Sequence, residues 1–268
     1  MRTQGEEVLF GRHSVLELLR AQSRRIDEVA IVAQGRSPAL LDLLAMAKGR
    51  GVKISYRTRE QLTAMAGTTD HQGVVARVAA AAYADVDSFL ALAADRAEPA
   101  FLLALDRVQD PRNLGTILRS AEAAGAHGLI LAKHHSVGLT PGAAKSATGA
   151  AELVGVARVT NMVQALEGLK QEGIWIVGTV THGGTAPWKV DLTVPLCFVL
   201  GGEGGGLRHL VAKTCDLLVT LPMKGKLDSL NVAAVAAIMS YEVVRQRGSG
   251  VSTTKQSRAS EKALDLSR

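Results

Sequence analysis

Aromatic residues are scarce here: 2 Trp, 3 Tyr and 4 Phe in 268 residues. The interior must therefore be built from Leu, Val, Ile and Ala. Cysteine is equally sparse, with only Cys197 and Cys215. Both sit in apolar surroundings and neither has metal-ligand spacing, so they read as reduced core residues in a reducing compartment. No apolar run is long enough to span a bilayer. No signal pattern opens the chain, since Glu6-Glu7 follow Met1 almost at once. A cytoplasmic protein without membrane attachment is expected. The seven histidines are scattered, and no hydrolase or metal constellation emerges.

Two nucleotide signatures are absent as well. The turn Gly201-Gly202-Glu203-Gly204-Gly205-Gly206 invites a dinucleotide reading. No register satisfies G-x-G-x-x-G, because Glu203, Leu207 and His209 fall at required glycines. The Lys and Ser/Thr of a P-loop are missing too. A carboxylate beside a pyrophosphate would be repelled. Glycines here instead let backbone approach a neutral or cationic ligand closely, with Glu203 anchored by N–H groups or a polar partner.

What the chain does have is charge at its ends. The formal net charge is +6. Residues 1–78 hold 12 Lys/Arg against 8 Asp/Glu, and residues 245–268 hold 6 against 2. The middle, 79–244, is slightly acidic with 13 against 15. A basic accessory unit beside a near-neutral one suits a polyanion-binding arm on a separate chemical unit.

Patterning predicts an α/β fold in two parts. Residues 1–78 alternate short strands and helices: VLF, VLELLR, DEVAIV, PALLDLLAMAKG, KISYR, REQLTAM and GVVARVAA. Their loops, Gly11-Arg12-His13, Arg24-Arg25, Gly35-Arg36-Ser37 and Asp70-His71-Gln72-Gly73, carry groups suited to phosphate. Residues 79–98 read as an alanine-rich linker that becomes a helix and stops before Pro99. Residues 99–248 alternate strand and helix in the manner of a parallel sheet covered on both faces. Residues 249–268 are polar with little to bury, and disorder is expected.

In parallel sheets ligands bind at the carboxyl ends of strands. Three polar junctions follow strands in the second part. Asp110-Pro111-Arg112-Asn113 opens a helix carrying Arg119, with Asn113 read as its cap. The Gly-rich turn presents Glu203. Ser229-Leu230-Asn231 opens a small-residue helix, VAAVAAIMSYE, which Ser229 or Asn231 can cap. The three are expected to meet in one site. Taken alone, Arg119 reads as a surface arginine beside Glu122.

DPRNLGTILRSAEAAGAHGLIL, LGGEGGGL and LPMKGKLDSLNVAAVAAIMSYE resemble the three ordered motifs of SpoU/TrmH-type RNA 2′-O-ribose methyltransferases, in the SPOUT superfamily. GRHSVLELL and HQGVVARV are similar to the subgroup containing 23S rRNA guanosine 2′-O-methyltransferases. The resemblance implies a small N-terminal RNA-binding domain, a C-terminal parallel-sheet domain with a trefoil knot, and a homodimer with active sites near the interface. Ala233, Ala234, Ala236 and Ala237 suit tight packing in such a knot. It assigns Asn113, Arg119, Glu203, Ser229 and Asn231 to catalysis and substrate positioning. It assigns S-adenosylmethionine, the methyl donor, to Thr179, Gly201, Leu221, Met223 and Leu230. No metal is expected. The substrate implied is RNA, ribosomal first and tRNA second.

A ribose hydroxyl is a poor nucleophile at neutral pH, so alkoxide character must be favoured as its proton leaves. The resemblance offers Arg119 as the base. A guanidinium ordinarily keeps its proton, which favours an electrostatic stabiliser of the alkoxide and neighbouring phosphate. Two rivals belong to other classes. A non-catalytic RNA-binding assembly factor would not need Arg119, Glu203 and Asn231 together, and a nucleotide-dependent oxidoreductase is disfavoured by the glycine spacing.

Overall fold

The computed structural model describes residues 6–33 and 38–248. The loop Gly35-Arg36-Ser37 and the tail expected to be disordered lie outside them.

The first sheet is four-stranded and mixed. Its elements are β1 (Glu6–Phe10), α1 (Arg12–Ala21), β2 (Ile26–Val32), α2 (Pro38–Gly49), β3 (Ile54–Arg57), α3 (Arg59–Ala66) and β4 (Val74–Ala79). The spatial order is β1-β4-β2-β3. β4 runs antiparallel to both neighbours, and β2 pairs parallel with β3. Alternation decides what each face covers. Leu9, Val29, Ile31, Val74 and Val78 share one cluster with Val15, Leu18, Leu40 and Leu43 of α1 and α2. On the other face Phe10, Ala30 and Val75 pack with Leu62 of α3.

The second sheet has six strands, all parallel, in the order β10-β8-β9-β5-β6-β7. In chain order come α4 (Val86–Asp95), β5 (Phe101–Asp106), α5 (Pro111–Ala123), β6 (Gly128–Ala132), α6 (Pro141–Ala147) and β7 (Val156–Val159). Then follow α7 (Met162–Gln171), β8 (Trp175–Thr179), β9 (Leu196–Gly201), α8 (His209–Thr214), β10 (Leu217–Val219) and α9 (Val232–Gly248). β5 is buried along its whole length, as expected for a central strand covered on both faces. Few aromatics enter this core, and Phe101 and Phe198 meet edge to face, 6.2 Å between centroids.

Within the stretch read as a linker, α4 joins the second sheet. Its Phe89 is buried among Ala93, Leu102, Ile130 and Ala157. The ring lies so close to Gly128 and Gly155 that a Cβ at either would overlap it.

β10 is shorter than the strand read from LLVTLP, and residues 220–231 form a long loop before α9. α9 then returns across the sheet to pack against α5. Of the alanines, Ala233 and Ala236 are buried while Ala234 is exposed.

The two parts meet through a buried ion pair. Arg24, after α1, donates to Glu152, in a short 3₁₀ turn after α6, and to Glu7 Oε2 at 2.8 Å. The Arg24 and Glu152 side chains are only 8% and 3% exposed. Ala144 of α6 completes the first-domain core, and Lys145 pairs with Asp70 at 2.8 Å.

Candidate active site

The carboxyl ends of β8, β9 and β10 open into one cleft. Thr179 and Val180 end β8, Gly201 ends β9, and the loop after β10 supplies Leu221, Met223, Ser229 and Leu230. Val235 and Met239 of α9 form part of its floor. All five residues expected to hold the methyl donor line this cleft. Its wider half, toward the glycines, encloses about 630 Å³, within the ~300–1,000 Å³ typical of small-molecule pockets.

The glycines at the mouth have specific reasons. A Cβ at Gly201 would meet the backbone of Gly206 and Leu207, and one at Gly202 would meet the Arg107 carbonyl. Gly204 and Gly206 have φ of 80° and 60°, the left-handed region that L side chains disfavour. Gly206 N–H donates to the Gly202 carbonyl at 3.2 Å, closing the turn. Beyond it, Arg208 donates from backbone N and from Nε to the buried Asp106, at 3.0 and 2.8 Å. The base of the turn is thereby pinned to the end of β5.

Three expected polar residues come together here from three segments. Asn113 Nδ2 donates to Glu203 Oε1. Asn231 Nδ2 donates to Asn113 Oδ1 at 3.1 Å. Asn231 Oδ1 accepts from Ala233 N at 2.9 Å, so Asn231 caps α9. The relay runs from a backbone amide through two carboxamides to a carboxylate. Each member fixes the orientation of the next, and Asn113 itself is buried.

One expectation is corrected and one alternative is decided. Asn113 is not the cap of α5. Asp110 is, accepting from Arg112 N at 2.8 Å, with Pro111 at the first helical position. This leaves Asn113 free to face Glu203 from inside the first turn. Of the two caps offered for α9, Ser229 or Asn231, it is Asn231 that serves, because α9 begins at Val232. Ser229 still lines the cleft.

Arg119 does not join the relay within one chain. Six residues along a helix is about 9 Å of rise and about 120° of rotation from Asn113. Arg119 is exposed and lines a different cleft with Thr116, Ser120, Tyr241 and, from the first domain, His13. Among the described residues it has no carboxylate partner.

The sequence reading missed Asp106 and Arg208. The available signal was an ionisable residue ending a fully apolar strand, which demands a partner once buried. Cys197 and Cys215 are free thiols. Burial raises both, Cys215 to about 12, so neither is a thiolate nucleophile.

The cleft fits S-adenosylmethionine in its donor set. Apolar side chains suit a flat heterocycle, close-approach glycines expose backbone, and the acids Asp228 and Glu203 suit a cationic centre.

Fold and cleft together define an α/β enzyme with a strand-end cofactor cleft and a smaller appended α/β domain. Residues 100–241 match the SpoU rRNA Methylase family, and residues 8–84 match the RNA 2′-O ribose methyltransferase substrate-binding family. The chain is 42% identical over 247 residues to the 23S rRNA (guanosine-2′-O-)-methyltransferase RlmB of Shewanella oneidensis, covering 91% of this chain and 99% of that one. It is 42% identical over 243 residues to its namesake in Ralstonia nicotianae, covering 90% and 96%. Among solved structures, the SpoU methyltransferase AviRb from Streptomyces viridochromogenes, in complex with the cofactor AdoMet, superposes with a TM-score of 0.76 at 28% identity, covering 92% of each chain. The chain belongs to the SpoU rRNA methylase family and is an S-adenosylmethionine-dependent RNA 2′-O-methyltransferase.

Proposed function

We propose that this enzyme methylates the 2′-hydroxyl of a guanosine in 23S rRNA, in the cytoplasm, as a homodimer. The observation that carries the reading is the Asn231–Asn113–Glu203 relay at the mouth of the strand-end cleft. S-adenosylmethionine, when bound, supplies a methyl group already activated on a sulfonium. Leu221, Met223 and Leu230 would hold it by apolar contact, and Thr179 and Gly201 by close backbone. Glu203 holds Asn113, and Asn113 holds Asn231, so the polar wall stays fixed while a ribose is presented. Ser229 adds a hydroxyl beside it.

Arg119 stabilises the developing alkoxide and the adjacent phosphate. It reaches the cleft of a second copy, because it turns away from its own. The dimer reading draws on α9. One side of this helix is buried, with Ala233, Ala236, Met239 and Val243, while Ile238, Tyr241 and Val244 on the rest are exposed. Exposed apolar side chains grouped along one helix suit a covering partner. Residues 1–78 and 99–248 act as the RNA-binding and methyltransferase domains, joined through 79–98.

The test is transfer of labelled methyl from S-adenosylmethionine to unmodified 23S rRNA and to bulk tRNA, followed by nucleoside analysis. 2′-O-methylguanosine from rRNA alone is expected. Label in tRNA alone would keep the chemistry and overturn the substrate. RNA binding without label in either would overturn the enzyme reading.

A further inference from the structure

Arg12 and Arg59 open different helices of the first domain yet line one cleft with His13, Leu16 and Gln72. They are 47 positions apart in sequence. One short turn, residues 70–73, fastens both. Gln72 has φ of 54° and Gly73 of 79°, a tight reversal that points Gln72 toward α1. Its side-chain oxygen accepts from Arg12 N and its carbonyl from Arg12 Nε, each at 3.1 Å. The fork of Arg12 is thereby oriented at its root.

The neighbouring His71 does the same for α3. It is fully buried. Its Nδ1 accepts from Gly73 N at 3.0 Å, which leaves the proton on Nε2. Nε2 faces Thr63 Oγ1 at 3.2 Å, and that hydroxyl donates to the Arg59 carbonyl at 3.0 Å. Burial, and then the charge of Arg59, hold His71 below its ordinary pKa, so it serves as a neutral spacer. Glu17 pairs with Arg20 and Asp70 with Lys145, while Glu60 beside Arg59 is exposed. No ion pair holds Arg59 among the described residues.

His13 links this cleft to the one lined by Arg119, Thr116 and Ser120, since it lines both. The two clefts thus adjoin at His13, and Glu17 and Glu122 also line the second. We infer that Arg12 and Arg59 form a clamp for the RNA phosphodiester backbone, which directs the strand past His13 to Arg119. The clamp rests on the methyltransferase reading for its purpose, and its binding chemistry stands apart from catalysis.

The experiment uses the full-length protein, with Arg12→Ala, Arg59→Ala and Arg25→Ala compared by filter binding of unmodified 23S rRNA across a salt series. Arg25 is an exposed arginine of the same domain paired with Asp27, so its removal controls for net charge. Each clamp variant is expected to weaken binding about tenfold and to lower the slope of log affinity against log salt by about 0.7–0.9. KM for RNA should rise while kcat at saturating RNA changes little, the mark of lost uniform binding. Arg59→Lys, which keeps the charge, should recover most of the slope. Clamp variants that bind no worse than Arg25→Ala would overturn the inference. So would a fall in kcat with KM unchanged. If the wild type binds rRNA with this slope but transfers no methyl, the methyltransferase reading fails and the clamp stands.

Discussion

Arg24 and Arg119 are both arginines near the meeting of the two domains, and their surroundings give them opposite uses. Arg24 is buried and held by two carboxylates, Glu152 and Glu7. Burial pulls against its charge, and Glu152 and then Glu7 more than offset that pull. Arg119 is exposed on α5 with no such partner among the described residues. A guanidinium already neutralised by carboxylates has little left to offer a phosphate, and its work is to fix one domain on the other. A guanidinium held on a rigid helix and left unneutralised is suited to an anion that arrives later.

The strongest way to break this comparison is at the domain junction. Glu152→Ala leaves Arg24 buried with only Glu7. Removing one member of a buried pair typically costs ~3–5 kcal/mol. The expected outcome is a large drop in the denaturation midpoint, with the first domain cleaved early in limited proteolysis. Replacing the pair together, Arg24→Met with Glu152→Leu, should recover much of that loss, because no lone charge is then buried. An unchanged midpoint in Glu152→Ala would mean the pair fixes nothing.

At the other arginine the effect belongs to the rate. Arg119→Ala should slow methyl transfer by about 10² to 10³, or roughly 3–4 kcal/mol of barrier, without lowering the melting temperature. Arg119→Lys keeps the charge and loses the planar fork, and strong impairment is expected there too. Near wild-type turnover in the lysine variant would remove Arg119 from the chemistry.

The same arginine sharpens the comparison through its distance from its own relay. Mixing Arg119→Ala protomers with Asn231→Ala protomers discriminates two geometries. If Arg119 serves a partner's cleft, each mixed dimer holds one site with both defects and one with neither. Activity should then return to about a quarter of wild type in a statistical mixture of symmetric dimers. If Arg119 served its own cleft, every site would carry a defect and mixing would restore nothing.

These contrasts mark where sequence reading reaches and where it stops. Element order was legible, because short apolar runs punctuated by Gly, Pro and capping residues have few foldings. The convergence of Asn113, Glu203 and Asn231 was legible because each follows a strand, and parallel strands deliver their loops to one edge. By sequence Arg24 belongs with the loop residues suited to phosphate, since nothing local reveals that Glu152, 128 positions away, will bury it. The motif groups Arg119 with Asn113, although their helical phases differ by about 120°. By sequence Asp110 and Asn113 are both good caps. The choice went to Asp110 once Pro111 took the first helical position. What is missing from sequence in each case is the direction a side chain takes when a distant segment competes for it.

The smallest expected effect lies inside the relay, at Glu203→Gln. A charged hydrogen bond contributes about 1.5–3 kcal/mol and a neutral one about 0.5–1.5. The amide keeps an oxygen to accept from Asn113 and loses only the charge. A loss of about 1 kcal/mol, roughly fivefold in kcat/KM for RNA, follows from that difference. The split between constants then identifies the role. If Glu203 acts by holding Asn113 and Asn231, the loss appears with RNA and leaves the KM for S-adenosylmethionine nearly unchanged. If its charge instead faces the sulfonium directly, the cofactor KM rises most. Asn113 and Arg119 share α5 yet point about 120° apart, so combining Glu203→Gln with Arg119→Ala should give additive losses if the two act in separate sites. Coupling between them would show that a second copy brings the two groups together.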